Sequence, residues 1–203
     1  MAAPPAPRTR LSASDRRDQL LEVTARLVVE RGFQGVSIEA VAKEAGITRP
    51  VVYGHFGGLN GLLEAMIDRE HARTMAQLAA VLPADPADAE PQAALDAAIR
   101  GYLEAVRADP GTWRLALLPP EGAPALLRDQ ITAGRDEVVA TLAEVVGRGR
   151  GASPDPALSA RTVVAIADES ARLLLTDPDE YPIERLVAHA TWMLDRLWSS
   201  TLA

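Results

Sequence analysis

Apolar positions recur every three or four residues along nearly the whole chain, and alternating β-branched runs bounded by turns are missing. The pattern predicts an all-α protein. A first helix starts near Ser14 or Asp15, either of which can cap it, carries Leu20, Leu21, Thr24, Leu27 and Val28, and ends at Gly32. Phe33 follows as an apolar anchor. Ser37 precedes "IEAVAKEAG", a short helix with Ile38, Val41, Ala42 and Ala45 on one face, stopped by Gly46. "ITRPVVYGHFGG" is a third short helix closed by two glycines, and a fourth runs from about Leu59 to Val81. After the break "PADPADAEP" come "QAALDAAIRGYLEAVRA", then "PGTWRLALL" opened by Pro110, then the break "PPEGAP". The long segment "ALLRDQITAGRDEVVATLAEVV" is weakened at Gly134. Beyond the loop "GRGRGASPDP" lie two apolar helices, from about Ala157 to Leu175 and from Pro182 to about Ser199.

Helix, glycine turn and short helix form a helix-turn-helix arrangement. The second helix of such a pair must be short enough to seat in a DNA major groove, with its N-terminal residues toward base edges. Pro50 then falls in the first helical turn, where its missing N–H costs little and its fixed φ suits the geometry. Its ring can pack against a thymine methyl, Arg49 can reach guanine O6 and N7, and Val51 is placed with them among the DNA-binding residues. Thr48 or Arg49 caps the helix. Tyr53, His55 and Ser37 can donate to phosphates, which set register rather than sequence. Val52 and Phe56 pin the helix to a small core with Phe33 and Ile38. Taken singly, Tyr53 also reads as a core aromatic and His55 as a surface histidine.

Composition narrows the class. With 203 residues, 48% apolar and 24% charged, the chain can bury a sizeable core. It has no cysteine, which excludes disulfides and thiolate chemistry. No apolar run reaches the length of a membrane span, and "MAAPPAPRTR" lacks the apolar centre of a secretory signal. These features predict a cytoplasmic protein with no membrane partner. The net charge of -7 hides an asymmetry: residues 1–60 carry eight Arg/Lys against six Asp/Glu, whereas the remainder carries 13 against 22. A mildly basic beginning suits a polyanion. Arg8 and Arg10 sit on an N-terminal arm, either as a solvated tail or as minor-groove contacts. No Ser-His-Asp context, phosphate loop or HExxH motif is present, and His55, His71 and His189 share no ligand spacing. No catalytic residue, metal or cofactor is expected.

From about Asp18 to Leu63 the chain resembles the DNA-binding domain of TetR-family transcriptional regulators. The residues that carry the resemblance are the "GF" after the first helix, "VSIEAVAKEAGIT", and "VVYGHF" followed by "LL". It implies a basic arm over 1–13, a helix-turn-helix domain over 14–58, and a helical ligand-binding and dimerisation domain over 59–203. Two departures bear on DNA affinity. Leu59 stands where the family often has a phosphate-holding lysine, and the second helix carries Glu39 and Glu44. Phosphate affinity then falls to Arg49, Tyr53, His55, Ser37, the helix N-termini and the N-terminal arginines.

The resemblance also implies a homodimer built on the last two helices, with Val163, Ala167, Ala171, Leu174, Leu186, Ala190, Met193, Leu194 and Leu197 on the shared stripe. The same stripe reads equally as ordinary core. Met66, Tyr102, Trp113 and Trp192 lie on helices that wall a ligand cavity in this family, and each also reads as packing. Arg172 can pair with Asp168 or Glu169 at helical spacing. That group either reads a ligand or forms a salt bridge. The leading expectation is a repressor released from a palindromic operator by an unidentified small-molecule effector. The rivals are a ligand-blind DNA-binding dimer and a helical binding module or enzyme with a vestigial helix-turn-helix.

Overall fold

The computed structural model describes residues 11–82, 91–148 and 153–199, apart from the side chains of 91 and 197–199. The described residues form nine α-helices and one 3-10 turn, with no strand. Arg8, Arg10 and the Leu197 side chain lie outside them. The chain divides into two compact units, between Met66 and Ile67.

In the first unit, α1 spans Ala13–Arg31. Its cap is Ser12, whose Oγ accepts the Asp15 amide at 3.1 Å, ahead of the Ser14 or Asp15 that periodicity favours. It ends at Gly32, whose φ of 71° suits a residue without Cβ. A 3-10 turn over Phe33–Gly35 leads to α2, Ile38–Glu44, and then to α3, Arg49–Phe56. Leu20, Leu27, Val28, Val41, Val52, Leu62 and Met66 are fully buried, with Phe33 and Ile38 close behind. The Arg26 guanidinium ties α1 to α2 through Glu44 at 2.8 Å, and that hydrogen bond holds the Glu44 carboxyl below its usual range.

The fourth helix, α4, spans Leu59–Val81. The second unit continues with α5 (Pro91–Ala108), α6 (Pro110–Leu117), α7 (Ala125–Val146), α8 (Pro156–Thr176) and α9 (Ile183–Ser199). The α8 helix packs on α5, α6, α7 and α9. Gly134 does not interrupt α7. It is a point of close approach, where a Cβ would meet Met75 Sδ at 3.0 Å and His71 Cε1 at 3.3 Å.

The stripe on α8 and α9 closes this core from within. Val163, Ala171, Leu174, Leu186, Ala190 and Leu194 are all buried inside the single chain. Ala167 packs against the same core half-buried, and Met193 is half-buried. Helical periodicity identifies a buried face but not the element that buries it, and here α5 covers much of it. Exposed positions on these helices fall elsewhere and include Leu158, Thr162, Ala165 and Glu169 on α8, and Arg185, His189, Trp192 and Arg196 on α9.

Candidate nucleic-acid interface and internal cavity

The α3 helix is eight residues long and has one fully buried side chain, Val52. Thr48 is its N-cap but makes no capping hydrogen bond with its side chain, and Pro50 occupies the first turn. The helix ends at Gly57, in the left-handed region at φ 71°, whose amide donates to the Tyr53 carbonyl. Anchoring through one valine leaves the opposite surface open. Thr48, Arg49, Pro50, Val51 and Tyr53 are all exposed, the Arg49 side chain by 64% and Tyr53 by 52%. His55 and Phe56 are half-buried.

Three contacts condition this surface. The Ser37 hydroxyl accepts the Ala40 amide at 3.1 Å and so caps α2, which leaves its O–H able to donate outward. Glu39 lies 3.9 Å from the Arg49 guanidinium, an exposed pair of little strength that a base or phosphate can displace. Arg17 of α1 lies over the Phe56 ring at 4.6 Å and donates to the His55 carbonyl at 3.4 Å. Sequence reasoning missed Arg17 as a support for α3, because no local pattern joins residues 38 positions apart.

The second unit holds a cavity of about 120 Å³. Most of its wall is apolar, with contributions from α4 to α8 that include Leu78, Ile99, Leu142 and Val164. Tyr102, Trp113 and Asp168 line it, as do Val163 and Ala167. Met66, Arg172 and Trp192 are not among its lining residues. Met66 is core of the first unit. Arg172 donates to the Leu117 carbonyl at 3.1 Å and to Glu169 at 3.3 Å, leaving Asp168 to another partner. Trp192 is 54% exposed and stacks on His189. Its helical phase turns it away from the interior, a fact that composition could not reveal.

On the cavity wall Asp168 accepts from the Tyr102 hydroxyl at 3.1 Å and from Arg135 of α7 at 2.6 and 3.2 Å. Burial, and then the adjacent Asp168 charge, push the Tyr102 phenol well above its ordinary range, so it stays a neutral donor. The Tyr102 ring meets Trp113 edge-on at 5.0 Å. Trp113 Nε1 donates to Gln77 of α4 at 2.7 Å. Glu70 of α4 is buried and satisfied by Arg69 and by the Thr112 hydroxyl of α6. Arg73 and Gln77 of α4 reach Asp109, at the start of α6, at 2.6 and 3.1 Å. Three α4 side chains, Glu70, Arg73 and Gln77, thus bind that helix to α6. Among the described residues no group of three His, Asp or Glu is placed to hold a metal. Likewise, no helix among them is long and apolar enough to cross a membrane.

A short helix held by one buried residue, with a polar outer face, defines a helix-turn-helix DNA-binding unit. It is followed in the chain by a helical unit with a largely apolar pocket. Residues 20–66 match the sequence profile of bacterial regulatory proteins of the tetR family. The HTH-type transcriptional regulator EthR of Mycolicibacterium smegmatis is 29% identical over 188 residues, which is 90% of this chain and 85% of that protein. A TetR-like transcriptional regulator from Rhodococcus sp. RHA1 shares the fold, with a TM-score of 0.76, 22% identity, and coverage of 93% and 98% of the two chains. AibR, solved in complex with isovaleryl coenzyme A and operator DNA, superposes with a TM-score of 0.69 at 22% identity, covering 88% and 97%. The chain belongs to the TetR family of transcriptional regulators.

Proposed function

We propose that this protein is a homodimeric repressor that a small molecule releases from a palindromic operator in the cytoplasm. The observation that carries the reading is the α3 surface. Thr48, Arg49, Val51 and Tyr53 are presented together while Val52 is the one fully buried residue of the helix. Arg49 reads a guanine, Pro50 and Val51 contact thymine methyls, and Thr48, Tyr53, His55 and Ser37 hold phosphates. A structural neighbour that takes both a small molecule and operator DNA supports joining the two activities.

Release needs only a modest differential affinity. The polar ties between α4 and α6 include Glu70, a wall residue of the cavity, and Gln77, which holds the wall residue Trp113. A bound ligand biases that network and, through α4, the operator-binding state. A coupling of ~1–3 kcal/mol corresponds to ~5–150-fold in operator affinity, and linkage requires the operator to weaken the ligand equally.

Genome-wide selection of bound fragments, followed by binding assays across a salt series, tests the DNA half. A palindromic site with steep salt dependence is expected, and equal affinity for random DNA defeats it. Titrating a cavity ligand with and without saturating operator tests the other half. Equal affinity in the two titrations would mean a ligand-blind regulator.

A further inference from the structure

We infer that the cavity takes an uncharged, mainly apolar molecule carrying a hydrogen-bond donor, and that the Asp168–Arg135 pair enforces that neutrality. The inference rests on reading the cavity as an effector site.

Besides the His71 imidazole, three charged side chains line the cavity: Glu70, Arg135 and Asp168. Each already has a partner of opposite sign. Glu70 is held by Arg69, with the Arg73 guanidinium 3.7 Å away, and also accepts from Thr112. Asp168 has Arg135 on Oδ2 and Tyr102 on Oδ1. A carboxylate or ammonium entering the remaining apolar space finds the guanidinium and both carboxylates already paired. It loses its hydration without a free counter-charge to repay it, and at the Asp168–Arg135 pair it also faces a like charge.

What the wall lacks is donors to its acceptors. Asp168 Oδ1 accepts one hydrogen bond and has capacity for a second. Gln130, also on the wall, gives its amide N–H to Asp68 at 2.7 Å, and its Oε1 is buried without a partner. Two acceptors with unused capacity on a mostly apolar wall call for a hydroxyl or N–H on a neutral skeleton.

The test uses four probes with one skeleton: phenylbutanol, phenylbutyrate, phenylbutylamine and butylbenzene. Each is titrated calorimetrically into the full-length protein. Phenylbutanol is expected to bind at least about tenfold more tightly than the other three, the worth of one hydrogen bond to a charged acceptor. Asp168→Asn leaves Arg135 without its anion, so phenylbutyrate should overtake the alcohol. Arg135→Gln leaves Asp168 without its cation, and phenylbutylamine should gain instead. The two reversals run in opposite directions, so one folded variant suffices. The inference is overturned, with the cavity still a binding site, if any other probe matches the alcohol on the wild type or if a folded variant keeps the wild-type order. If none of the four binds the wild type, the cavity reading itself falls, and this inference with it.

Discussion

The Arg17 guanidinium lies 4.6 Å from the centroid of the Phe56 ring and donates to the His55 carbonyl beside it. One side chain of α1 thereby covers the C-terminal aromatic of α3 and places positive charge at the negative end of that helix. Each effect is worth about 0.5–1 kcal/mol at an exposed site. Arg17→Ala should therefore lower the stability of the first unit by about 1 kcal/mol, measured by chemical denaturation. It should also weaken operator binding more than its single charge accounts for. Arg17→Lys keeps the charge but loses the planar stack, so it should recover only part of both. Complete recovery by lysine would show that Arg17 acts through charge alone.

Arg49 is the exposed cation at the start of α3. Arg49→Ala should cost specific binding ~1–3 kcal/mol and relax the preference at one operator position. Anisotropy titrations on operator variants and on random DNA separate the outcomes. An equal loss on both makes Arg49 a phosphate contact only. Glu39→Gln removes the carboxylate 3.9 Å from Arg49 and should strengthen binding to all DNA at low salt.

Gly58 and Gly61 flank the start of α4 but are constrained differently. A Cβ at Gly61 would strike the Phe56 carbonyl oxygen, whereas one at Gly58 meets nothing within 4 Å. Gly61→Ala should destabilise the first unit by about 1–3 kcal/mol, the usual cost of overpacking. Gly58→Ala should be neutral or stabilising by up to about 1 kcal/mol, through the unfolded chain. Thermal melts of the two variants decide whether these glycines serve as a flexible hinge or as a steric requirement at Gly61 alone.

Tyr102 makes the fold sensitive to alkali. Its folded pKa is raised above the ordinary value of 10.0, so its contribution to stability is complete below that pH. The contribution is lost as pH rises toward the folded value, because only the unfolded chain readily ionises there. Denaturation midpoints should therefore fall above pH 10 more steeply in wild type than in Tyr102→Phe. Parallel curves would mean that Tyr102 ionises in place.

Self-association should respond to the outward faces of α8 and α9. Leu158 is 61% exposed and Trp192 54%, while Leu194 has no exposure. Leu158→Asp and Trp192→Asp should give folded monomers that lose tight operator binding, as read by analytical ultracentrifugation. An Asp at Leu194 should instead unfold the second unit, since it buries an unpaired charge. A wild type that is monomeric at micromolar concentration would sink the dimer.

Local rules placed the helices. Leu59–Val81 was legible to the residue because Gly57 and Gly58 precede it and a proline-rich break follows. The exposed tip of α3 was also legible, since Pro50 and the paired glycines leave few ways to seat so short a helix. The sequence by itself determined which residues become buried, because a 3.6-residue period requires one face to leave water. Only the tertiary structure decided what buries them. Leu186 and Leu194 close the chain's own core rather than a partner's. Trp192 faces solvent despite its size. Asp168 turns from Arg172, four residues along its own helix, to Arg135 on α7. Apolar burial is nondirectional and can be read from periodicity. A hydrogen bond needs its donor within about 3 Å, so the choice among several arginines waits until the helices have packed.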